Sequence, residues 1–478
     1  MLSETKSYGL LIDGQEIFTD DLLPVKDKYT GDTVALISQA RQEDVEAAVA
    51  SAKRALNKPL SPYSRAQILM KASTIIKSRR EELASLIAKE AGKPLKDALV
   101  EVSRAMETFR LSAEEATRIT GEMVPVEAYP GSENRLAFTI RVPRGLICAI
   151  TPFNFPLNLL CHKVAPALAA GNAVIAKPAS VTPLSALMVG KILEEAGLPA
   201  GWYSLIVGPG STVGEWLLDD PAINYYTFTG SYEIGKRIQE RAGLRKTTLE
   251  LGSNSATIIH KDADLEKAAP LCARMAFANA GQVCISVQRL LVHRDVYQAF
   301  ASALVKHTKA LVVGNPKDPA TDVGPMISTK EADRVMAWIK EAVEGGAQLL
   351  HGGTREANLI EPTILADVNS EMKVWCQEIF GPVVTVVPYD HIEEAIEKTN
   401  DSEYGLQAGI FTSSIDIALT CAKRLHVGGV IINDTSAHRT DSMPYGGVKN
   451  SGTGREGPKY AVQEMTESKV ILFNHQVL

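Results

Sequence analysis

Residues 279–289 read NAGQVCISVQR and set Cys284 between a glycine–glutamine pair and an apolar run. As a thiolate such a cysteine is a nucleophile for covalent catalysis. As a thiol it is simply a small buried hydrophobe. The other cysteines, Cys148, Cys161, Cys272, Cys376 and Cys421, include no CxxC pair. A zinc ribbon, a redox dithiol or a disulfide framework is therefore not expected, and no metal site is assigned. Glu250 is the one carboxylate in TTLELGSNSA, flanked by leucines. In a cleft it would have a raised pKa suited to general-base work; on a strand face it would be an ordinary exposed charge. Asn154, in TPFNFPLN, carries an amide able to donate to an oxyanion, or to close a turn. Lys177 ends the apolar run AVIA, where open α/β sheets bind ligands, though a solvated strand end is the other reading. Gly208, Gly210 and Gly214 in VGPGSTVGEWL are spaced one residue longer than the usual dinucleotide fingerprint. Gly230 and Ser231 offer a second strand–turn–helix in YTFTGSYEIGKRI, whose backbone N–H groups could meet a phosphate.

These residues need a scaffold, and the hydrophobic periodicity supplies one. Val45, Ala48, Val49, Ala52 and Leu56 share a helical face, and helical patterns continue over 64–91 and 95–119. Leu136, Phe138, Ile140 and Val142 alternate like a strand after the turn Pro130-Gly131-Ser132. From about 145 to 260 the runs GLICAIT, GNAVIAKP, WYSLIVG, YYTFTG and SATIIH alternate with helical segments. Short apolar runs bounded by Gly or Pro fit strands buried on both faces, and their alternation with helices fits a parallel sheet. A second series follows Cys284: VQRLLVH, PTILA and PVVTVVPY as strands, with helices at 295–312 and 329–345. ESKVILFN, near the end, reads as one more strand. The expected fold class is α/β, with two open parallel-sheet Rossmann-like domains and spare strands for subunit contacts.

A chain of 478 residues exceeds one ordinary core, so two or three domains are expected. A net charge of −6 gives no basic footprint for nucleic acid and no polybasic membrane anchor. The start MLSETKSYGL lacks the pattern of a secretory signal. No apolar run reaches the ~18 residues needed to cross a bilayer. The expected location is cytoplasmic.

Taken together and in order, ITPFNFP, GNAVIAKPAS, FTGS, LELG, NAGQVC, EIFGPV and PYGGVKNSGTGREG resemble the aldehyde dehydrogenase superfamily from about residue 10 onward. The resemblance implies Cys284 as nucleophile, Asn154 as oxyanion donor and Glu250 as general base. Thiolate attack would give a thiohemiacetal, hydride loss a thioester, and water a carboxylic acid. It implies NADP or NAD as cofactor, held by Thr151, Pro152, Lys177, Ser180, Gly210, Gly214, Phe228, Gly230, Ser231, Gly252, Glu378 and Phe380. Lys163 and Glu456 match positions of a proton relay; an exposed ion pair is the alternative. The implied layout is a cofactor-binding domain over 1–120 and 144–248 and a catalytic domain over 249–435. Segments 121–143 and 460–478 would be oligomerisation strands of a homodimer or homotetramer.

Two departures bear on specificity. Many NAD-preferring members carry a glutamate three residues after the lysine; here Ser180 stands there, removing repulsion of a 2′-phosphate and making NADP acceptable. ELGG becomes ELGS through Ser253, while Gly252 is kept. For the substrate, His162 stands where many members have tryptophan, and Arg104, His438 and Arg439 approach the expected mouth. Cationic donors in place of rings point to a short polar or anionic aldehyde, as in the lactaldehyde, phosphonoacetaldehyde and non-phosphorylating glyceraldehyde-3-phosphate branches. Val283, where members acting on glyceraldehyde 3-phosphate often have arginine, speaks against that substrate. Surface pairing of these charges with Glu101, Glu107 or Asp441 is the alternative. Other readings are a broad-specificity or succinate-semialdehyde-type enzyme, a CoA-acylating dehydrogenase, which usually lacks the glutamate base, and a non-catalytic homologue.

Overall fold

The computed structural model describes residues 6–474. Residues 1–5 and 475–478, the outer ends of two expected segments, lie outside them. The short apolar runs between 146 and 250 have no polar face to offer water, so they stack side by side. Five strands run parallel in the spatial order Lys246–Glu250, Tyr225–Thr229, Leu146–Ile150, Ala173–Lys177 and Tyr203–Leu205. Antiparallel strands close both edges. Gly452–Thr453 pairs with Lys246–Glu250, opposing Gly452 to Glu250, and Leu10–Ile12 and Gln15–Ile17 cover the far side. Lys246–Glu250 and the N-terminal edge strands were not singled out from sequence. Only part of KTTLE is apolar, and the edge strands are three residues each.

A second sheet has six parallel strands in the order Thr363–Ala366, Val383–Tyr389, Arg289–His293, Ala256–Ile259, Gln407–Phe411 and Gly429–Ile432, edged antiparallel by Gln348–His351. SATIIH therefore belongs to this sheet rather than continuing the first series. One hydrophobic core extends from Leu10 to Leu251 and is rejoined by Val462 and Met465. The other runs from Ala256 to Leu425.

The helical pattern over 64–91 is two helices, Pro62–Ser78 and Arg80–Ala91, broken at Arg79 (φ −102°, ψ 21°). Leu95–Ala116 packs against Pro62–Ser78 and Asn158–Ala169. Arg135–Pro143 and Thr466–Asn474 pair antiparallel along their whole length, with Met123–Val124 on the other edge. Leu136, Val470, Leu472 and Phe473 on this small sheet are exposed. Among the described residues no helix is long and apolar enough to cross a membrane.

Candidate active site

The helix Leu265–Phe277 ends just before the cysteine loop, and the chain turns through three consecutive left-handed residues, Asn279 (φ 51°), Ala280 (φ 55°) and Gly281 (φ 69°). That conformation is costly for residues with a Cβ, about 1 kcal/mol for an alanine. Surrounding contacts hold it. Gln282 accepts from the Ile327 N–H (2.9 Å) and donates to the Asn279 carbonyl (3.1 Å). A Cβ on Gly281 would lie 2.0 Å from the Gly381 carbonyl oxygen, so only glycine lets the two loops meet. The turn delivers Cys284 to a cleft of about 1350 Å³ between the carboxyl ends of the first sheet's strands and segments that lead into strands of the second.

Asn154 lines the same cleft, following the strand Leu146–Ile150. Its Nδ2 donates to the Gln282 carbonyl (2.8 Å) and its Oδ1 accepts from the Phe155 N–H, so the amide orientation is set and one N–H is left over. Glu101, on the helix Leu95–Ala116, steadies this segment by accepting from the N–H groups of Leu157 and Asn158. Burial pushes the Cys284 thiol up to about 11; a hydrogen bond from Tyr445 and the charge of Arg439 pull the other way.

Glu250 ends its strand buried just behind the cleft wall, and neither carboxylate oxygen has a hydrogen-bond partner among the described residues. Burial, reinforced by the nearby Glu456, holds it well above the usual carboxylate range. Glu456 goes the other way. Burial works to raise it too, but Lys163 (2.7 Å) and Arg439 (3.1 Å) outweigh that and keep it ionised. The Lys163–Glu456 pair is fully enclosed, not the surface pair that was the alternative reading.

Of the expected cofactor residues, Pro152, Gly230, Ser231, Gly252, Glu378 and Phe380 line the cleft. A Cβ on Gly252 would come 2.5 Å from the Glu378 carboxylate, so the chain is bare there, as close approach of a planar ring requires. Glu378 accepts from the Ser253 N–H (2.9 Å), and burial raises it to about 7. Ser231 caps the helix Tyr232–Ala242 without bonding its own helix, leaving its hydroxyl and the helix N-terminus for an anion. Phe228 lies beneath Gly230, where a Cβ would meet its ring at 2.4 Å.

The remaining cofactor residues lie away from the cleft lining. Lys177 ends its strand beside Gly214, and burial lowers it to about 8. Ser180 donates to the Gly208 carbonyl (2.9 Å). Gly210 and Gly214 bound one π-helical turn, and Thr151 Oγ1 is buried without a partner among the described residues. This set suits a dinucleotide extended along the sheet edge, and no carboxylate stands at Ser180 to oppose a 2′-phosphate. Among the described residues no group of three or more His, Cys, Asp and Glu could hold a metal ion.

The four cationic candidates separate. Arg439 lines the cleft with its side chain 6 % exposed. Its guanidinium stacks 3.6 Å over the Tyr445 ring, and its buried Nε has no partner among the described residues. Arg104 also lines the cleft but is held by Asp441 (2.9 Å). His162 does not reach the cleft lining: it is buried and bonded to Asp441 (2.9 Å), with burial lowering its pKa so that it stays neutral. His438 is half exposed outside the lining and pairs with Asp434 (3.2 Å). Asp441, bonded also by Asn158, is thus a buried hub that sequence reading did not weigh as more than a surface partner. Tyr445 was missed as well. The motif PYGG contains it, but nothing local says that its hydroxyl faces the cysteine.

The sequence matches the description "Aldehyde dehydrogenase family" over residues 18–471. A 3-sulfolactaldehyde dehydrogenase of Priestia aryabhattai is 55% identical over 473 residues, 99% of each chain. Among solved structures, an aldehyde dehydrogenase from Physcomitrella patens in complex with the reaction product succinate superposes with a TM-score of 0.96 at 40% identity, covering 99% of both chains. A glyceraldehyde-3-phosphate dehydrogenase from Methanocaldococcus jannaschii complexed with NADP gives a TM-score of 0.92 at 41% identity, covering 96% of this chain and 100% of that one.

Proposed function

The chain belongs to the aldehyde dehydrogenase family, and from that premise we propose that it oxidises a short anionic aldehyde to its acid with NADP or NAD. The observation that carries the anionic reading is Arg439, an enclosed guanidinium on the cleft wall whose charge acts on Cys284. A charge-assisted contact there would seat a sulfonate, phosphonate or carboxylate a few bonds from the carbonyl. The 3-sulfolactaldehyde named for one relative and the succinate bound by another are compounds of that chemistry.

Cys284, as thiolate, adds to the carbonyl carbon, and the new oxyanion receives the free N–H of Asn154. Gly252 and Glu378 would hold the nicotinamide ring, which when bound would supply the hydride acceptor for oxidation of the thiohemiacetal to a thioester. Glu250, with no internal partner to give up, takes a proton from water as the water attacks the thioester, and Cys284 leaves as thiolate. Lys163 and Glu456 carry that proton away from the wall behind Glu250. Retention of Glu250 favours water over CoA as acceptor. The sheet formed by Arg135–Pro143 and Thr466–Asn474, with its exposed Val470 and Leu472, would join copies into a dimer or tetramer.

The test is kcat/KM for matched anionic and neutral aldehydes, 3-sulfolactaldehyde and succinic semialdehyde against lactaldehyde and butanal, for wild type and Arg439→Met. The variant should lose roughly 10–100-fold on the anionic members and far less on the neutral ones. An equal loss on both, or a wild type that prefers butanal, overturns the anionic reading.

A further inference from the structure

Tyr445 is buried, with 3 % of its surface exposed, and packs with Ile285 and Leu406 against Val283 and Cys284. Three constraints fix its hydroxyl. The ring lies under the Arg439 guanidinium at 3.6 Å. Its backbone exchanges hydrogen bonds with Glu456, N–H to carbonyl at 3.1 Å and carbonyl to N–H at 2.7 Å. The hydroxyl itself is 2.9 Å from Cys284 Sγ, its single hydrogen-bond partner among the described residues. A phenol so enclosed keeps its proton, since burial drives its ionisation well above the ordinary tyrosine value. While Cys284 is a thiol either group can donate; once the sulfur is a thiolate only the phenol carries a proton and is the donor, and a cation over the ring face makes it a better one.

Resting on Cys284 being the nucleophile, we propose that Tyr445 is a positioning residue that aims the sulfur and stabilises its thiolate by donating a hydrogen bond to Sγ. A donor to sulfur favours the thiolate over the thiol, because a hydrogen bond to an ionised acceptor is the stronger one. In a thioester the sulfur is a poor acceptor, so the contact weakens once the acyl group is attached. It returns when Cys284 leaves as thiolate during hydrolysis. One hydroxyl thereby assists both the attack and the departure of the same sulfur. Replacement of Tyr445 by phenylalanine keeps the ring, its packing and its stacking with Arg439, and removes only the donor.

The test is the pH dependence of Cys284 alkylation by iodoacetamide in full-length wild type and Tyr445→Phe. The reaction forms one S–C bond and releases iodide, so its rate follows the thiolate fraction. The alkylated peptide is identified by mass, and residual dehydrogenase activity is measured alongside. In Tyr445→Phe the midpoint of alkylation should rise by about one pH unit, making the reaction about tenfold slower below the midpoint, with an unchanged plateau at high pH. The neutral-pH kcat/KM should fall by a similar factor and recover as pH rises. Identical midpoints for the two proteins, with alkylation of Cys284 still abolishing activity, would overturn the role of Tyr445 alone. Alkylation of Cys284 that leaves activity intact would instead overturn the nucleophile on which it rests.

Discussion

Glu250 and Glu456 are two buried carboxylates in one electrostatic neighbourhood with opposite fates. Glu456 has Lys163 and Arg439 as partners and stays ionised; Glu250 has no hydrogen-bond partner among the described residues, and burial raises it. Separation of this kind supports the proposed role of Glu250 as the group that exchanges protons during turnover. Hydrolysis of the acyl-enzyme should then increase with pH as Glu250 ionises, through a midpoint well above that of an ordinary carboxylate. In Glu250→Gln that pH-dependent step should be lost while the first, NADPH- or NADH-forming turnover survives, measured as a burst of about one equivalent. Steady turnover at the wild-type rate would contradict a base role for Glu250. Cys284→Ala should reduce kcat roughly 10⁴-fold or more, yet still bind dinucleotide by fluorescence titration; loss of binding would mean the change had disturbed the cleft. Residue type alone left Cys284 open as a core thiol and Glu250 as an exposed charge; the family motifs singled both positions out. What was not legible is that His162 turns inward to Asp441, because a histidine beside a cleft and one packed behind its wall have the same local sequence.

At the scale of elements, the proposed nucleophile depends on a turn that local propensity opposes. Ala280 at φ 55° has no sequence signal for the left-handed region; only the contacts of Gln282 and Gly381 impose it. Gly281 is the exception that sequence could suggest, since glycine accepts that conformation readily. Gly281→Ala should lose about 2–4 kcal/mol of stability and nearly all activity, because its Cβ would meet the Gly381 carbonyl at 2.0 Å. A thermal melt unchanged from wild type would show that the two loops can part. The fully apolar strands and amphipathic helices were readable from periodicity, including the register partners Arg135–Pro143 and Thr466–Asn474 as strands. Lys246–Glu250 was not. Four of its five residues are polar, and the partner that covers Glu250 comes from Gly452–Thr453, some two hundred residues away.

Over the whole molecule, the acid side of stability should be set by buried carboxylates with cationic partners. Burial works to raise Asp441, but the hydrogen bond from His162 and the charge of Arg104 outweigh it and hold its carboxyl well below the usual range. A carboxylate depressed on folding binds fewer protons than in the unfolded chain. Its stabilisation is therefore complete above about pH 4 and is lost as pH falls towards its folded value. Urea midpoints should drop as pH falls below about 4 in wild type and less steeply in Asp441→Asn, which starts lower; parallel curves would assign the acid loss elsewhere. Ser180→Glu should weaken NADP by roughly tenfold or more while leaving NAD within a few-fold, since a carboxylate would face the 2′-phosphate. Equal weakening of both would contradict the placement of Ser180. The family was legible because its motifs keep their order along the chain, whereas the proposed substrate end was only partly so: of four cationic candidates, Arg439 alone is enclosed in the cleft wall. The most direct test of the central claim is the intact mass of Glu250→Gln after mixing with NADP and the anionic aldehyde that wild type oxidises best. The expected result is one acyl group, the aldehyde less two hydrogens, on the peptide containing Cys284. NADPH formation with no adduct at Cys284 would contradict it.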